Sequence, residues 1–450
     1  MSSPAKSQTS KLKQSITGPL LFLFILGDVL GAGIYALVGK VAGEVGGAVW
    51  IPLALALFLA MLTAASYAEL VTKYPKAGGA AVFAERAFKV PLISFLVGFS
   101  MLAAGVTSAA GLSLAFAGDY LKPFLDVPAT PTALIFLLLI GLLNARGVKE
   151  SVRANVVMTV IEVSGLVLVI VLVGLMLGRG DGDASRVLEF NPAVSPGAGI
   201  LAASLLAYYS FVGFETSANV AEEVRDVHRV YPKALFGALL TAGAIYILIG
   251  LASSIALPAA DLNSSSGPLL QVVQATGFGV PDWLFGLVAL IAVANGALLT
   301  MIMASRLAFG MAEQSLLPAG LGRVLPQRRT PWVAIAVTTL AAMALTATGD
   351  LGSLAETVVL LLLFVFISTN LAVLVLRKDK VEHQHFRVPV VIPYLALASC
   401  LLLLFQQGPE IWLRAAILLG IGLVLFFVTR IIQARNRTGR KTTPRLRRNG

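Results

Sequence analysis

Twelve long apolar stretches dominate this chain, and each is close to the length that a helix needs to cross a bilayer. A spanning helix takes about 20 mostly apolar residues, because each residue adds about 1.5 Å against a hydrocarbon core of about 30 Å. The stretches cover residues 17–39, 48–72, 92–119, 131–147, 155–178, 198–221, 234–258, 283–311, 331–348, 353–376, 389–407 and 411–433. Short segments separate them. The sequence therefore predicts an all-α polytopic membrane protein with 12 transmembrane helices.

The composition of the chain excludes an ordinary soluble domain. Of its 450 residues, 57% are hydrophobic and 13% are charged, against about 25% charged residues in an average soluble domain. A soluble core cannot hide so much apolar surface, whereas lipid can surround it. The single cysteine, Cys400, excludes an internal disulfide and a cysteine-based metal site.

Lysine and arginine residues divide unequally between the two sides of the predicted bundle. If every stretch crosses and the N-terminus is cytoplasmic, the outer segments contain only Lys40, Lys122, Arg179, Arg186 and Arg414 of the 34 basic residues. An excess of lysine and arginine marks the cytoplasmic side of a membrane protein. We therefore predict that both termini are cytoplasmic. The net charge of +11 then indicates orientation and not nucleic-acid binding.

Glycine and acidic residues interrupt two of the apolar stretches at corresponding positions. The first stretch contains the run Gly27–Tyr35, with Asp28, and the sixth contains Tyr208–Thr216, with Glu215. A helix that unwinds at membrane depth frees N–H groups and carbonyls, which bind the charged ends of a substrate. Such paired interruptions predict a transporter site for a molecule with a carboxylate and an ammonium group. Close helix packing through Gly27 and Gly31 is the alternative explanation.

Short motifs around these interruptions resemble those of the amino acid–polyamine–organocation (APC) superfamily of transporters. They are Gly31–Ile34, Tyr67–Leu70, Tyr74–Gly79, Phe211–Glu215, Ala221–Glu223, Tyr231–Ala234, Ala304–Arg306, Leu316–Pro318 and Phe386–Pro389. The resemblance implies a LeuT-type fold, a 5+5 inverted repeat plus two C-terminal helices. The implied divisions are a cytoplasmic N-terminal tail (1–16), a first repeat (17–178), an inverted second repeat (198–376), helices 11 and 12 (389–433) and a basic cytoplasmic tail (434–450).

The same resemblance implies a binding site for an amino acid at the cytoplasmic (inner) membrane, and the acidic groups Asp28 and Glu162 favour a neutral or cationic amino acid. N–H groups of Gly31, Ala32 and Gly33 would bind the substrate carboxylate. The carbonyl groups near Val29, Tyr209, Ser210 and Val212 would accept from its ammonium group. Phe211 and Phe214 are candidates for an aromatic lid or pocket wall, with ordinary packing as the alternative. Protons and the lipid bilayer are the other expected partners, and no cofactor, metal or nucleic acid is expected.

Glu162, in the fifth stretch, is with Asp28 the predicted site of proton coupling. Proton-coupled transporters of the superfamily often have a lysine in this part of the helix, and here a carboxylate replaces it. Apolar surroundings and a second nearby carboxylate both favour the protonated form of a carboxyl group. The alternatives for Glu162 are a permanently protonated structural residue and recognition of a cationic side chain. For Glu215, we expect capping of N–H groups after the second break.

Other mechanisms and classes remain open at the level of sequence. Thr300 and Ser305 could contribute to sodium coupling, although such hydroxyls commonly bond to their own helix. An amino acid or polyamine exchanger without proton coupling and a sensor with a transporter fold are further alternatives. The chain contains no GxSxG, HExxH or GxxxxGK[ST] motif, so we predict that it is not an enzyme. The sequence makes no prediction of oligomeric state.

Overall fold

The computed structural model describes residues 16–75, 79–146, 152–325 and 330–441, with the backbone alone at 32, 152–155 and 434–441. The α-helices are α1 (Gly18–Leu30), α2 (Ala32–Val45), α3 (Trp50–Lys73), α4 (Gly79–Phe88), α5 (Pro91–Phe116), α6 (Ala129–Ala145), α7 (Val152–Gly178), α8 (Pro196–Phe211), α9 (Val227–Ala256), α10 (Ala259–Ser264), α11 (Pro268–Ala275), α12 (Asp282–Glu313), α13 (Trp332–Thr346), α14 (Leu351–Leu376), α15 (Val391–Phe405) and α16 (Pro409–Lys441). Shorter 3-10 helices cover Ala184–Leu188, Phe214–Glu223 and Ala319–Gly322. Within these ranges the structure has no β-strand beyond isolated bridges.

Ten of the predicted transmembrane stretches each coincide with one of these helices, whereas the first covers α1 and part of α2, and the sixth covers α8 and the 3-10 helix that follows it. Eight helical segments are long and apolar enough to cross a membrane, and α1 and α2 together make a ninth candidate that is bent by 42°. The helices α6, α13 and α15 are apolar but shorter. The all-α polytopic architecture is thereby confirmed. The number of 12 crossings stays a prediction, because three of the helices are shorter than a full span.

Local sequence accounts for where several of these helices begin. Pro196 lies in the first turn of α8, where its missing N–H costs nothing, and the Ser195 side chain accepts a hydrogen bond from the Ala198 N–H. Asp350 caps α14 in the same way by accepting from the Ser353 N–H at 2.8 Å. These caps satisfy backbone donors that have no partner within the helix.

Helix packing has the arrangement that two equivalent repeats would produce. The first part of the first broken span, α1, packs against α9. The first part of the second broken span, α8, packs against α3 in the corresponding way. Short helices occupy equivalent places as well, with α4 after α3 and with α10 and α11 after α9. The division into repeats at 17–178 and 198–376 agrees with this packing and stays a prediction.

Apolar side chains lie on the outside of the bundle as well as in its core. Phe405 is 79% exposed, Leu340 64% and Leu413 63%, each on a different outer helix. Surfaces of this kind are stable against lipid and not against water. Of the predicted tails, residues 1–15 and 442–450 lie outside the described residues, and α16 continues to Lys441.

Candidate functional site

Both predicted interruptions are present, and they face each other at the centre of the bundle. The first lies at Gly31, between the end of α1 and the start of α2. The second lies at Val212 and Gly213, where α8 ends in extended backbone and a 3-10 helix follows. The second half of this span is therefore a 3-10 helix and not an α-helix.

Two glycines allow the broken segments to touch. A Cβ on Gly33 would lie 2.9 Å from Ser210 Cα, and one on Gly213 would lie 2.7 Å from the Asp28 carbonyl oxygen. Gly213 also has φ +125°, a conformation that other residues rarely adopt. A side chain at either position would push the two breaks apart, so the glycines determine how closely these segments approach.

The predicted carboxylate-binding N–H groups lie at the beginning of α2. Gly31 is the N-cap of this helix and Ala32 its first residue, followed by Gly33. The first N–H groups of a helix have no partner within the helix and carry partial positive charge. The backbone here thus has the polarity that the prediction requires, while the side chain of Ala32 lies outside the described residues.

The predicted acceptor carbonyls have partners that the sequence did not indicate. The hydroxyl of Tyr246, on α9, lies 2.5 Å from the Val29 carbonyl oxygen and 3.1 Å from that of Ser210. The Tyr209 carbonyl accepts from the Val212 N–H at 3.0 Å. The structure therefore adds Tyr246 to the candidate site. No motif in the sequence marks this tyrosine among the apolar residues of its helix.

Glu162 is fully buried on α7 beside the first break. The side-chain amide of Asn295, on α12, donates to its Oε1 at 3.0 Å. Its other oxygen, Oε2, has no hydrogen-bond partner among the residues that the structure describes. The backbone carbonyl of Glu162 accepts from the Tyr35 hydroxyl of α2 at 2.7 Å. A buried carboxyl group with one unpaired oxygen suits a neutral, protonated form better than an ionised one.

Asp28 joins the first break to the second. Its Oδ2 accepts a hydrogen bond from the hydroxyl of Thr216, in the 3-10 helix after the second break. It also lies close enough to Glu162 for the charges of the two groups to interact. Glu215, the neighbour of Thr216, accepts from the Gly213 N–H at 2.9 Å, which confirms the predicted capping of the second break.

The two candidate aromatic residues are packed in the core. Phe211 is fully buried and lies edge-on to Tyr246, with ring centroids 5.2 Å apart. Phe214 is also fully buried, stacks on Phe366 at 5.5 Å and meets Tyr67 edge-on at 5.7 Å. Packing describes both rings in this conformation, and a role as lid or pocket wall stays a prediction. Ser108 on α5 and Tyr209 share a hydrogen bond at 2.8 Å nearby.

A second polar cluster, the Glu69–Arg377 clamp, lies near the C-terminal end of α3. Arg377, which follows α14, donates to both Glu69 oxygens at 2.9 and 2.7 Å. The Val388 N–H donates to Glu69 Oε2 at 3.0 Å, and Arg377 donates to the Val388 carbonyl at 2.7 Å. The clamp, defined by Glu69, Arg377 and Val388, fixes the segment before α15 against α3.

The hydroxyls considered for sodium coupling bond to their own helix. Thr300 donates to the carbonyls of Gly296 and Ala297 at 2.9 and 3.0 Å. Ser305 donates to the Ile302 carbonyl at 3.0 Å and accepts from Asn144 of α6. Neither hydroxyl has a hydrogen bond to the first break in the described part of the chain. Their own helix, and Asn144 in the case of Ser305, therefore supply the hydrogen-bond partners of both hydroxyls.

Discontinuous helices that meet inside an apolar bundle define a polytopic membrane transporter. The chain matches the amino acid permease family over residues 18–441 and belongs to that family, within the APC superfamily. It is 26% identical to the branched-chain amino acid permease BcaP of Bacillus subtilis (strain 168), over 94% of both chains. It is also 26% identical to the methylthioribose transporter of the same organism, over 94% of this chain and 95% of that protein. The vacuolar cationic amino acid transporter 4 of Arabidopsis thaliana is 29% identical over 78% of this chain and 61% of that protein.

These relationships confirm the predicted superfamily and the predicted role in amino acid transport. The family and the relatives are transporters, in agreement with the prediction of a chain that is not an enzyme.

Proposed function

We propose that this protein is a secondary active transporter that moves neutral amino acids across the cytoplasmic membrane by alternating access, driven by protons. The observation that carries the proposal is the contact between the two breaks. It brings the uncapped start of α2 and the carbonyl ends of α1 and α8 to one place. Partial positive and partial negative backbone charges therefore lie close together. An amino acid, with a carboxylate and an ammonium group, has the matching charges.

The proposal of a neutral side chain follows from the acidic residues at the breaks. Asp28 is engaged by Thr216, and Glu162 is engaged by Asn295. A protonated Glu162, which its burial and unpaired Oε2 favour, would carry no charge to balance a cationic side chain. The relative that is named a branched-chain amino acid permease aligns over 94% of both chains, which also supports a neutral substrate. Cationic amino acids are the alternative substrate class.

The proposal of proton coupling rests on Glu162. Its burial and its unpaired Oε2 favour a bound proton in this conformation. When α1 and α7 move apart, water would reach the carboxyl and stabilise its charged form. Proton release would then accompany the change in access. Glu162 contacts α2 through the Tyr35 hydroxyl, so the proton site and the first break would move together.

Counterflow in proteoliposomes that contain the purified full chain tests these proposals. The panel contains radiolabelled leucine, alanine, arginine, glutamate, putrescine and methylthioribose, each with and without an inward proton gradient. We expect leucine or alanine to enter fastest, with accumulation raised at least severalfold by the gradient. Uptake of arginine alone would overturn the neutral substrate class. Amino acid counterflow that ignores the gradient would overturn proton coupling and favour an exchanger, and specific binding without transport would favour a sensor.

For orientation, we propose that both termini lie on the cytoplasmic side, as the distribution of lysine and arginine indicates. The segment around Asp126, between α5 and α6, would then face outwards and is exposed. In a background with Cys400→Ala, a membrane-impermeant thiol reagent should label Asp126→Cys in intact cells. Arg437→Cys should react only after the cells are opened. The reverse pattern would contradict this orientation.

A further inference from the structure

Tyr246 connects the two half-helices that run into the breaks. Its hydroxyl reaches the carbonyls of Val29 and Ser210, and each of these residues is the penultimate residue of its helix, α1 or α8. The side chain is fully buried, and its ring packs edge-on against Phe211. Tyr246 itself belongs to α9, which is outside both broken spans. A third helix thus fixes the relative position of the two carbonyl ends.

The chemistry of these groups leaves room for another donor. A tyrosine hydroxyl carries one proton, whereas each carbonyl oxygen can accept two hydrogen bonds. The carbonyls at the end of a helix also carry partial negative charge. A cation that binds at this point therefore meets two acceptors that are already oriented. The carbonyl groups need not reorient on binding, which lowers the cost of binding.

Other buried tyrosines show that a hydroxyl-to-carbonyl bond is common in this bundle and that the position of Tyr246 is unusual. Tyr120 donates to the Tyr35 carbonyl at 2.7 Å, and Tyr35 donates to that of Glu162. Each of these bonds reaches one helix. The hydroxyl of Tyr246 reaches the ends of two broken helices.

We propose that Tyr246 is a positioning residue that holds the carbonyls of Val29 and Ser210 as one joint acceptor for the ammonium group of the substrate. This inference rests on the proposed function, since it requires an amino acid at the breaks. It assigns to α9 a part in recognising the α-ammonium group, and it makes recognition depend on a hydroxyl that need not touch the substrate.

Substitution of Tyr246 by phenylalanine, with Tyr120→Phe as the matched control, tests the inference. Both changes remove one buried hydroxyl and keep the ring, but only the Tyr246 hydroxyl bonds to carbonyls at the ends of α1 and α8, whereas the Tyr120 hydroxyl bonds to the Tyr35 carbonyl within α2. The labelled substrate is the amino acid that the wild-type protein takes up fastest in the panel described above. Unlabelled amino acid and its 2-hydroxy analogue compete for uptake; for leucine, the analogue is 2-hydroxy-4-methylpentanoate. The ratio of the two inhibition constants measures recognition of the ammonium group and does not depend on how much protein is active.

We expect wild-type protein and Tyr120→Phe to prefer the amino acid strongly and equally. In Tyr246→Phe that preference should fall by about three- to tenfold, which is the value of one or two neutral hydrogen bonds, with a raised KM and a smaller change in kcat. An unchanged ratio in Tyr246→Phe would overturn the inference while the proposed function stands. A wild-type protein that does not distinguish the amino acid from its hydroxy analogue, or that transports no amino acid, would overturn both.

Discussion

The region of the two breaks and the Glu69–Arg377 clamp are both polar clusters inside an apolar bundle, yet they are constructed differently. At the breaks, the donors are neutral groups such as the Tyr246 hydroxyl and the Asn295 amide, and Glu162 Oε2 has no partner among the described residues. In the clamp, a guanidinium group binds both oxygens of one carboxylate, and a backbone N–H donates to the same group.

This difference indicates that the groups at the breaks can exchange their hydrogen-bond partners, whereas the groups of the clamp keep theirs. Neutral hydrogen bonds contribute about 1 kcal/mol each, so a substrate or water can replace them at small cost. A buried bidentate ion pair is costly to break, because each charge would be left without its partner. We infer that the breaks rearrange during transport while the clamp keeps α3, α14 and the segment before α15 together.

Loss of one partner from the clamp should produce the largest effect on stability. Glu69→Ala leaves the guanidinium of Arg377 buried without its carboxylate, and we expect a loss of about 3–5 kcal/mol. Thermal unfolding of the detergent-purified protein measures this loss. The control is Arg86→Gln, which removes an exposed ion pair with Asp379 and should cost less than about 1 kcal/mol. Equal losses in the two variants would contradict the distinction between the clamp and an ordinary surface pair.

Replacement of Glu162 tests whether the region of the two breaks binds and releases a proton during transport. Glu162→Gln keeps the size of the side chain but cannot bind and release a proton, so we expect gradient-driven accumulation to fall at least about tenfold. Counterflow without a gradient should continue. Glu85→Gln, at an exposed position of α4, should respond to the gradient as the wild type does. A normal response to pH in Glu162→Gln would leave this glutamate with a structural role.

The hydrogen bond from Asn295 should influence Glu162 to a smaller extent. The Asn295 amide holds Oε1 of Glu162, so Asn295→Leu should lower gradient-driven accumulation by about threefold, which is less than the loss in Glu162→Gln. Thr300→Val, on the same helix, is the control, since the Thr300 hydroxyl bonds only to its own helix among the described residues. Equal gradient-driven accumulation in Asn295→Leu and the wild type would argue against a role for Asn295 in proton coupling.

Asp119 lies outside the spans and is partly accessible to water. Its replacement shows how much a hydrogen-bonded carboxylate contributes to the stability of the fold at such a position. Desolvation opposes ionisation of this group, but hydrogen bonds from Lys122, Ser265 and Ser266 outweigh it and lower the pKa of Asp119 from 3.8 to about 2. Because the pKa is lower in the folded state, the contribution is present above about pH 4 and is lost as the pH falls towards 2.

We expect Asp119→Asn to cost about 1 kcal/mol at pH 7, a value reduced for solvent screening. Unfolding midpoints at pH 7, 5 and 3 measure the difference from the wild type. That difference should be constant between pH 7 and 5 and should narrow at pH 3. A difference that grows on acidification would show that this carboxylate does not stabilise the fold through its charge.

Much of the fold could be predicted because it depends on local properties of the sequence. Apolar stretches of the length of a span became helices, and the glycine-containing runs became the breaks at Gly31 and at Val212–Gly213. Glu215 capped the second break as expected. The details inside a break were less predictable, since the second half of the sixth span is a 3-10 helix.

The partners of the polar residues could not be predicted, because they are distant in the sequence. Asn295 is 133 residues from Glu162, Tyr246 is 217 from Val29, and Arg377 is 308 from Glu69. A helix that is apolar on all sides has no polar stripe to show which face meets which neighbour. Without that information, Tyr246 and Asn295 resemble any other polar residue within an apolar helix.

The sequence by itself determined the class of protein, the position of the breaks and the family, because hydropathy, glycine content and short motifs are properties of single segments. Only the tertiary structure decided that Tyr246 bridges two carbonyl ends, that Asn295 holds one oxygen of Glu162 and that Glu69 pairs with Arg377. These contacts depend on how helices rotate and cross when they pack. That choice is made by the fit of whole surfaces and not by any one segment.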